Sequence, residues 1–260
     1  MKIRITFCLV LFTHVIYSQF KVSNGTTVTV ANNEILYVNE PLVNEGNITL
    51  NSSRLLLGNN FNNASGTLNS ADATIELVGG NSQSFTFANN DVVKRFELNK
   101  SSNTATVAAG KLSITDVLKS ISGTLDAGEK VVLVSSSAKT AIVEPSSGGT
   151  IDNIVVERFI PAKRTYRLLS SPVTTTTSIR YNWQEDQNNT SQLFSNNSNT
   201  QPGFGTHITG STSGADGFDA TQSGNSSLFT FDTDSQSWNP ISNTNTNTLL
   251  VGNAYRLMVR

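Results

Sequence analysis

From Phe20 to about Val156 the chain offers only brief β-prone runs, cut at short intervals by Asn, Gly and Ser, and no stretch keeps a helical period for three turns. The spacing predicts strands over 26–30, 34–38, 48–50, 55–57, 74–78, 84–87, 95–98, 104–108, 112–115 and 131–134. Residues 116–120 read as one helical turn at most. The brief runs without a helical period predict an all-β fold.

The same region echoes itself. SGTL occurs at Ser65–Leu68 and at Ser122–Leu125, each followed by a polar turn and an apolar run, and GNITL at Gly46 is matched by GKLSI at Gly110. Short strands with Gly and Asn corners suit a β-solenoid, or parallel β-helix, whose rungs bury their side chains only against adjacent rungs. A β-sandwich with chance similarity between hairpins is the alternative for this region. The stretch PSSGGT, Pro145–Thr150, marks the boundary by composition. Three segments follow: 1–18, a signal peptide; 19–150, solenoid-like repeats; and 151–260, a β-sandwich or jelly-roll-like domain.

In the leading segment Lys2 and Arg4 precede an apolar run from Ile5 to Ile16, and Ser18 supplies a small residue before Gln19, the pattern of a secretory signal. The run is shorter than the roughly twenty apolar residues a spanning helix needs. Its removal takes away Cys8, the only cysteine, and leaves sixteen basic against nineteen acidic residues, so the formal charge moves from -1 to -3. A nearly neutral surface without a concentrated basic footprint argues against nucleic acid as a partner. The expected location is extracellular, associated with the cell surface, with no transmembrane segment.

The segment 151–260 carries both tryptophans and a polar tract, Gln187–Thr200. Around Arg158–Arg167 the residues read as an edge strand stopped by Pro161, then a strand over 166–169 closed by Ser170, Ser171 and Pro172. Thr174–Thr177 suit an exposed strand or loop. Ser178 is placed to N-cap a single helical turn bearing Ile179, Tyr181 and Trp183. Further strands are expected at 154–159, 205–209, 228–231 and 254–259.

No catalytic or cofactor motif accompanies these elements. His207, the only histidine left after cleavage, reads as a strand residue between Gly205 and Gly210. The carboxylate pairs Asp216/Asp219, Asp232/Asp234 and Glu185/Asp186 lie in turn-forming contexts, where Asp satisfies nearby backbone donors. Asp216, Asp219, Asp232 and Asp234 are also the candidates for Ca2+, which takes carboxylate, amide and carbonyl oxygens, though neither ADGFDA nor FDTDSQSW matches a defined calcium loop. Tyr181, Trp183, Phe204 and Trp238 are candidates to stack on sugar rings, with core packing as the bland reading. Arg158, Lys163, Arg164 and Arg167 read as a solvated strand face, with acidic polysaccharide as the sharper possibility.

The pieces RFIPAKRTYRLLSSPVTTTTSIRYNWQE from Arg158, PGFGTHITG from Pro202, GFDAT from Gly217, SLFTFDTDSQSW from Ser227 and NAYRLMVR from Asn253 resemble a segment of large secreted multidomain surface proteins of Bacteroidota. The resemblance covers about the last hundred residues. It implies repetitive β-rich sequence before the segment, further modules after it, and a C-terminal sorting domain for type IX secretion. It carries over no catalytic residue. The chain ends at Arg260 without a sorting domain, which reads as an N-terminal fragment of a longer protein. Two functions are weighed: a non-catalytic surface or adhesive module whose partners are glycans or cell-surface components, and a carbohydrate-active module that binds or processes polysaccharide. The first is preferred, with no enzymatic activity and no cofactor beyond Ca2+.

Overall fold

A computed structural model of the chain describes residues 18–161, 163–190 and 205–259. The signal-peptide residues 1–17, Phe204 and most of the Asn/Ser/Thr tract lie outside the described residues. The protein is all-β, with one α-helix of five residues among the described residues, and divides into two compact units, Met1–Phe159 and Ile160–Arg260.

The first unit is a parallel β-solenoid of about seven turns, the first six contributing to three ladders and the last to two. The first ladder stacks Phe20–Val22, Leu42–Asn44, Phe61–Asn62, Gln83–Thr86, then residues 105–109, 124–126 and Thr150–Asp152. The second stacks Thr27–Val30, Asn47–Leu50, residues 67–70, 91–93 and 112–114, Val131–Leu133 and Val155–Val156. The third stacks Ile35–Val38, Arg54–Leu57, residues 74–79, 95–100 and 117–122, and Ile142–Val143. Side-chain hydrogen bonds across one turn join residues 19, 20, 22 or 23 positions apart, the length of a coil.

The alternation of each strand sends one residue inward, onto the equivalent residue of the next coil. Leu55, Ile75, Phe96 and Leu118 form one such column and Leu57, Leu77 and Leu98 another, all buried. Phe61, Phe85 and Phe87 add a ring cluster, with Phe61 edge-on to Phe87 at 5.8 Å and Phe85 stacked on Phe87 at 6.3 Å. Fully burying such side chains contributes about 1.5–3 kcal/mol each. This column packing makes coil on coil, and not strand on strand within a coil, the unit of stability.

The corners are held by polar side chains. Between the first and second ladders, Asn44 Nδ2 donates to Asn63 Oδ1 at 2.6 Å, and Asn63 Nδ2 donates to Asp91 Oδ2 at 2.8 Å. Asp91 Oδ2 also accepts from the Ala88 N–H at 2.8 Å, so one buried chain of amides and a carboxylate ties three coils. Gly110 turns the same corner two coils after Asn63 with φ 76, and a Cβ there would land on the Phe87 carbonyl oxygen.

Several expectations are corrected by this arrangement. Residues 116–120 are not helical: they belong to the strand Leu112–Asp126, because Leu118 must fill the column between Phe96 and Val143. PSSGGT is a corner and not a linker. Thr150–Asp152 and Val155–Val156 close the first and second ladders beyond it, so the unit ends at Phe159. The two SGTL copies occupy different sides, Leu68 in the second ladder and Leu125 in the first, whereas GNITL and GKLSI both enter the second ladder and repeat structurally.

The second unit holds a four-stranded antiparallel sheet ordered Thr165–Ser170, Ala254–Val259, Leu228–Asp232, Ser237–Pro240, and a parallel pair, Thr209–Ser211 with Asp219–Ala220. Ser178 caps the helix Ile179–Trp183 by accepting from the Tyr181 N–H. One face of the sheet is covered: Tyr255, Leu257 and Leu228 pack with Ile179, Ile208, Phe218, Ile241 and Leu249. Phe159–Pro161 form no strand, and the strand expected from 205 lies at Thr209–Ser211.

Candidate functional site

The other face of the four-stranded sheet is open, and its composition is unusual for a solvated surface. In a strand successive side chains alternate, so the neighbours of core-facing Tyr255 and Leu257, namely Arg256 and Met258, point the other way. Register then places Leu168 beside Arg256, Arg256 beside Phe229, and Phe229 beside Pro240, while Tyr166 lies beside Met258 and Phe231 beside Trp238. Leu168 is 75% exposed and Tyr166 51%.

Three rings converge on one cation. The guanidinium carbon of Arg256 lies 4.8 Å from the ring centre of Tyr166, 4.6 Å from that of Phe229 and 4.9 Å from that of Trp238, all within cation–π range. Phe231 supports Trp238, with ring centres 5.1 Å apart. The Arg256 Nε is buried and has no hydrogen-bond partner among the described residues. The rings therefore pack about the guanidinium while its Nε donor is left without a partner.

Of the aromatic candidates among the described residues, only Trp238 sits on this face. Trp183 lies on the opposite face, edge-on to the buried Tyr255 at 5.4 Å, where it packs against the core. Tyr181 is exposed on the short helix, and Phe204 lies outside the described residues. The two tryptophans thus do not share a surface, and one adjacent-residue step, Tyr255 to Arg256, separates their environments. Tyr166, Phe229 and Arg256 were missed by sequence reasoning. Their signal was the period-two alternation of residues 166–168, 229–231 and 254–258 once those segments are read as neighbours.

Three of the candidate acids, Asp219, Asp216 and Asp232, are engaged locally. Asp219 is buried, its Oδ1 accepting from the Asn189 N–H at 2.7 Å and its Oδ2 from the Ile208 N–H at 2.8 Å; His207 Nε2 stands 4.0 Å from that Oδ2. Asp216 Oδ1 accepts from Asn243 Nδ2 at 3.1 Å. Asp232 Oδ1 accepts from the Asp234 and Ser235 N–H groups in the hairpin turn, which hold its carboxyl below the usual range. Glu185 and Asp186 form the turn that closes the helix, at φ 54 and 55. Among the described residues no group of three or more His, Cys, Asp or Glu is placed to hold a metal ion.

On the solenoid, the third ladder carries a charge ladder facing outward. Arg54 Nη2 donates to Glu76 Oε2 at 2.6 Å and to Glu97 Oε2 at 2.8 Å, Arg95 Nε donates to Glu97, and Arg95 Nη1 and Nη2 donate to Glu144 at 2.8 and 2.6 Å. The acids raise both guanidinium values further, and Arg95 lowers the Glu144 carboxyl. Glu76 and Glu97 are register partners on adjacent coils, so the arginines do structural work between two like charges. A groove of about 610 Å³ runs where the second ladder turns into the third, lined by Asn51, Ser52, Asn69 and Asp72 among others. Asp72 is its one carboxylate among the lining residues.

The fold defines the class, a parallel β-solenoid followed by a small mixed-β unit. Comparison with protein-family models, with curated proteins and with solved structures gives no match. No helix among the described residues is long and apolar enough to cross a membrane.

Proposed function

We propose that this chain is a non-catalytic extracellular module in which a solenoid scaffold is joined to a unit that binds glycans or cell-surface components. The observation that carries the reading is the open sheet face of the second unit, where exposed Tyr166 and Leu168 flank an aromatic-held guanidinium. Aromatic rings at a partly wet surface are suited to the apolar C–H faces of sugars, and a mixed aromatic and Arg patch marks an interaction site more readily than a scattering of single residues. The charged groups of the solenoid support the scaffold role, since Arg54, Arg95, Glu76, Glu97 and Glu144 join coil to coil. A solenoid by itself does not specify chemistry.

Export rests on the leading segment, and membership of a multidomain Bacteroidota surface protein with further modules and a type IX sorting domain rests on the resemblance of the last hundred residues. In this reading the second unit is sandwich-like, the four-stranded sheet forming one layer and the segment with the two-stranded pair the other.

The test uses the purified chain on immobilised glycans and on intact cell surfaces, beside an assay for newly released reducing ends. Retention without release of sugar ends is the expected result, and retention should fall in the Tyr166→Ala/Trp238→Ala double variant. Release of reducing ends would replace this reading with the polysaccharide-processing alternative.

A further inference from the structure

We propose that Arg256 is the anion-reading centre of a site for uronate-bearing polysaccharide, laid across the open face of the sheet; this rests on the binding-module reading above and names its ligand. The ligand class follows from what the guanidinium lacks. Its guanidinium carbon lies within cation–π range of Tyr166, Phe229 and Trp238, yet its Nε is buried without an acceptor and no ion pair to a described acid involves it. A half-buried arginine with no acid beside it among the described residues is matched by a planar carboxylate, which accepts two parallel N–H···O bonds from the two Nη groups at the end of the guanidinium.

The surroundings favour a sugar acid over a bare anion. Tyr166 keeps half its surface exposed beside the cation, and Leu168 three quarters, which gives the pyranose C–H faces an apolar platform next to the charge. Lys163 and Arg164, both exposed immediately before the strand Thr165–Ser170, make the approach to this face positive. The nearest acid on these strands, Asp232, is occupied by the Asp234 and Ser235 N–H groups of its own turn and does not compensate the arginine. Neutral polymer would satisfy the rings but leave the guanidinium donors unpaired. Uronate satisfies both.

The experiment measures binding of the full chain to polygalacturonate and to the same polymer with its carboxyls methyl-esterified, followed by tryptophan emission. Polygalacturonate is expected to bind at least about ten-fold tighter than the ester, a difference of 1.4 kcal/mol, and to weaken as salt rises. Arg256→Gln should lose about that ten-fold for the acid form with little change for the ester, while Arg256→Lys recovers the charge but not the fork and stays weak. Trp238→Phe should abolish the emission change. If Arg256→Gln does not fold, as judged by circular dichroism, Tyr166→Ala removes a half-exposed ring and one of the three contacts to Arg256, and should weaken both polymers. Equal binding of acid and ester, an unchanged folded Arg256→Gln, or tighter binding of a sulfated polymer would overturn the uronate assignment while leaving a glycan-binding module in place. Failure to retain any glycan or cell surface would instead remove the parent reading.

Discussion

Asp91 and Lys100 show how single buried charges are used in this solenoid. Asp91 ends the Asn44–Asn63 chain, and burial pushes its carboxyl up, against the hydrogen bonds from Asn63 and Ala88. A carboxyl whose folded value is raised holds more protons folded than unfolded, so stability falls as pH climbs from the ordinary 3.8 through the raised value. Asparagine can accept the same two bonds without a charge. Asp91→Asn is therefore expected to keep or raise the urea midpoint at neutral pH and to flatten the acid-side slope, whereas Asp91→Ala, which orphans two buried donors, should cost about 1–3 kcal/mol each way it is measured. Lys100 is buried, with Nζ donating to the Asn81 carbonyl and to Gln83 Oε1, both at 2.7 Å, and desolvation lowers its value. A base depressed in the folded state binds fewer protons than in the unfolded chain. Stability should rise as pH increases from the lowered value toward 10.5, and Lys100→Met should lose that rise in a thermal-melt series across alkaline pH.

At the scale of an element, the third ladder depends on placing opposite charges one coil apart. Glu76 and Glu97 face each other across adjacent coils, and Arg54 bridges both while Arg95 bridges Glu97 to Glu144. Either arginine alone still neutralises part of the pair. Arg54→Gln and Arg95→Gln singly should each cost about 0.5–1 kcal/mol, since the side chains are partly exposed and screened. The double variant should cost more than their sum, by about 0.5 kcal/mol or more, because two adjacent carboxylates then lack any bridge. A urea-denaturation cycle over the four proteins checks this, and simple additivity would refute the bridging role. The corner at Gly110 makes a second element-scale prediction: Gly110→Ala and Gly25→Ala both force a left-handed φ, 76 and 78, on an L-residue, but only Gly110→Ala also drives a Cβ onto the Phe87 carbonyl, so its expression as folded protein should drop sharply while Gly25→Ala, with open space around it, carries the backbone strain alone and costs less.

The solenoid as a whole behaves as a one-dimensional stack, in which a coil is stabilised by the coils on either side. Leu98 lies in a middle coil, in register with Leu77 on one side and Ser120 on the other, while Val22 lies in the first. Leu98→Ala is expected to cost about 2–5 kcal/mol, clearly more than Val22→Ala, and to lower the thermal midpoint of the entire stack, not of one coil. Much of this architecture was legible in the sequence, because a run such as 48–50 or 95–98 is apolar at alternate positions whatever it pairs with, and because Gly and Asn at corners report backbone geometry locally. Ser178 as the cap of the Ile179–Trp183 helix was legible for the same reason. Residues 116–120 misled since their local pattern suits a turn of helix, and only the column between Phe96 and Val143 forces them into extended form. The candidate site was the least legible part. Composition and alternation fixed that the second unit would be β and rich in rings, but which face each ring took was settled by register: Tyr255 pairs into the core with Trp183, and Arg256, one residue on, meets Tyr166, Phe229 and Trp238 from three other strands. Period-two geometry is written in a strand's own residues, whereas the identity of its neighbours depends on contacts between segments up to ninety positions apart, and no local pattern encodes those.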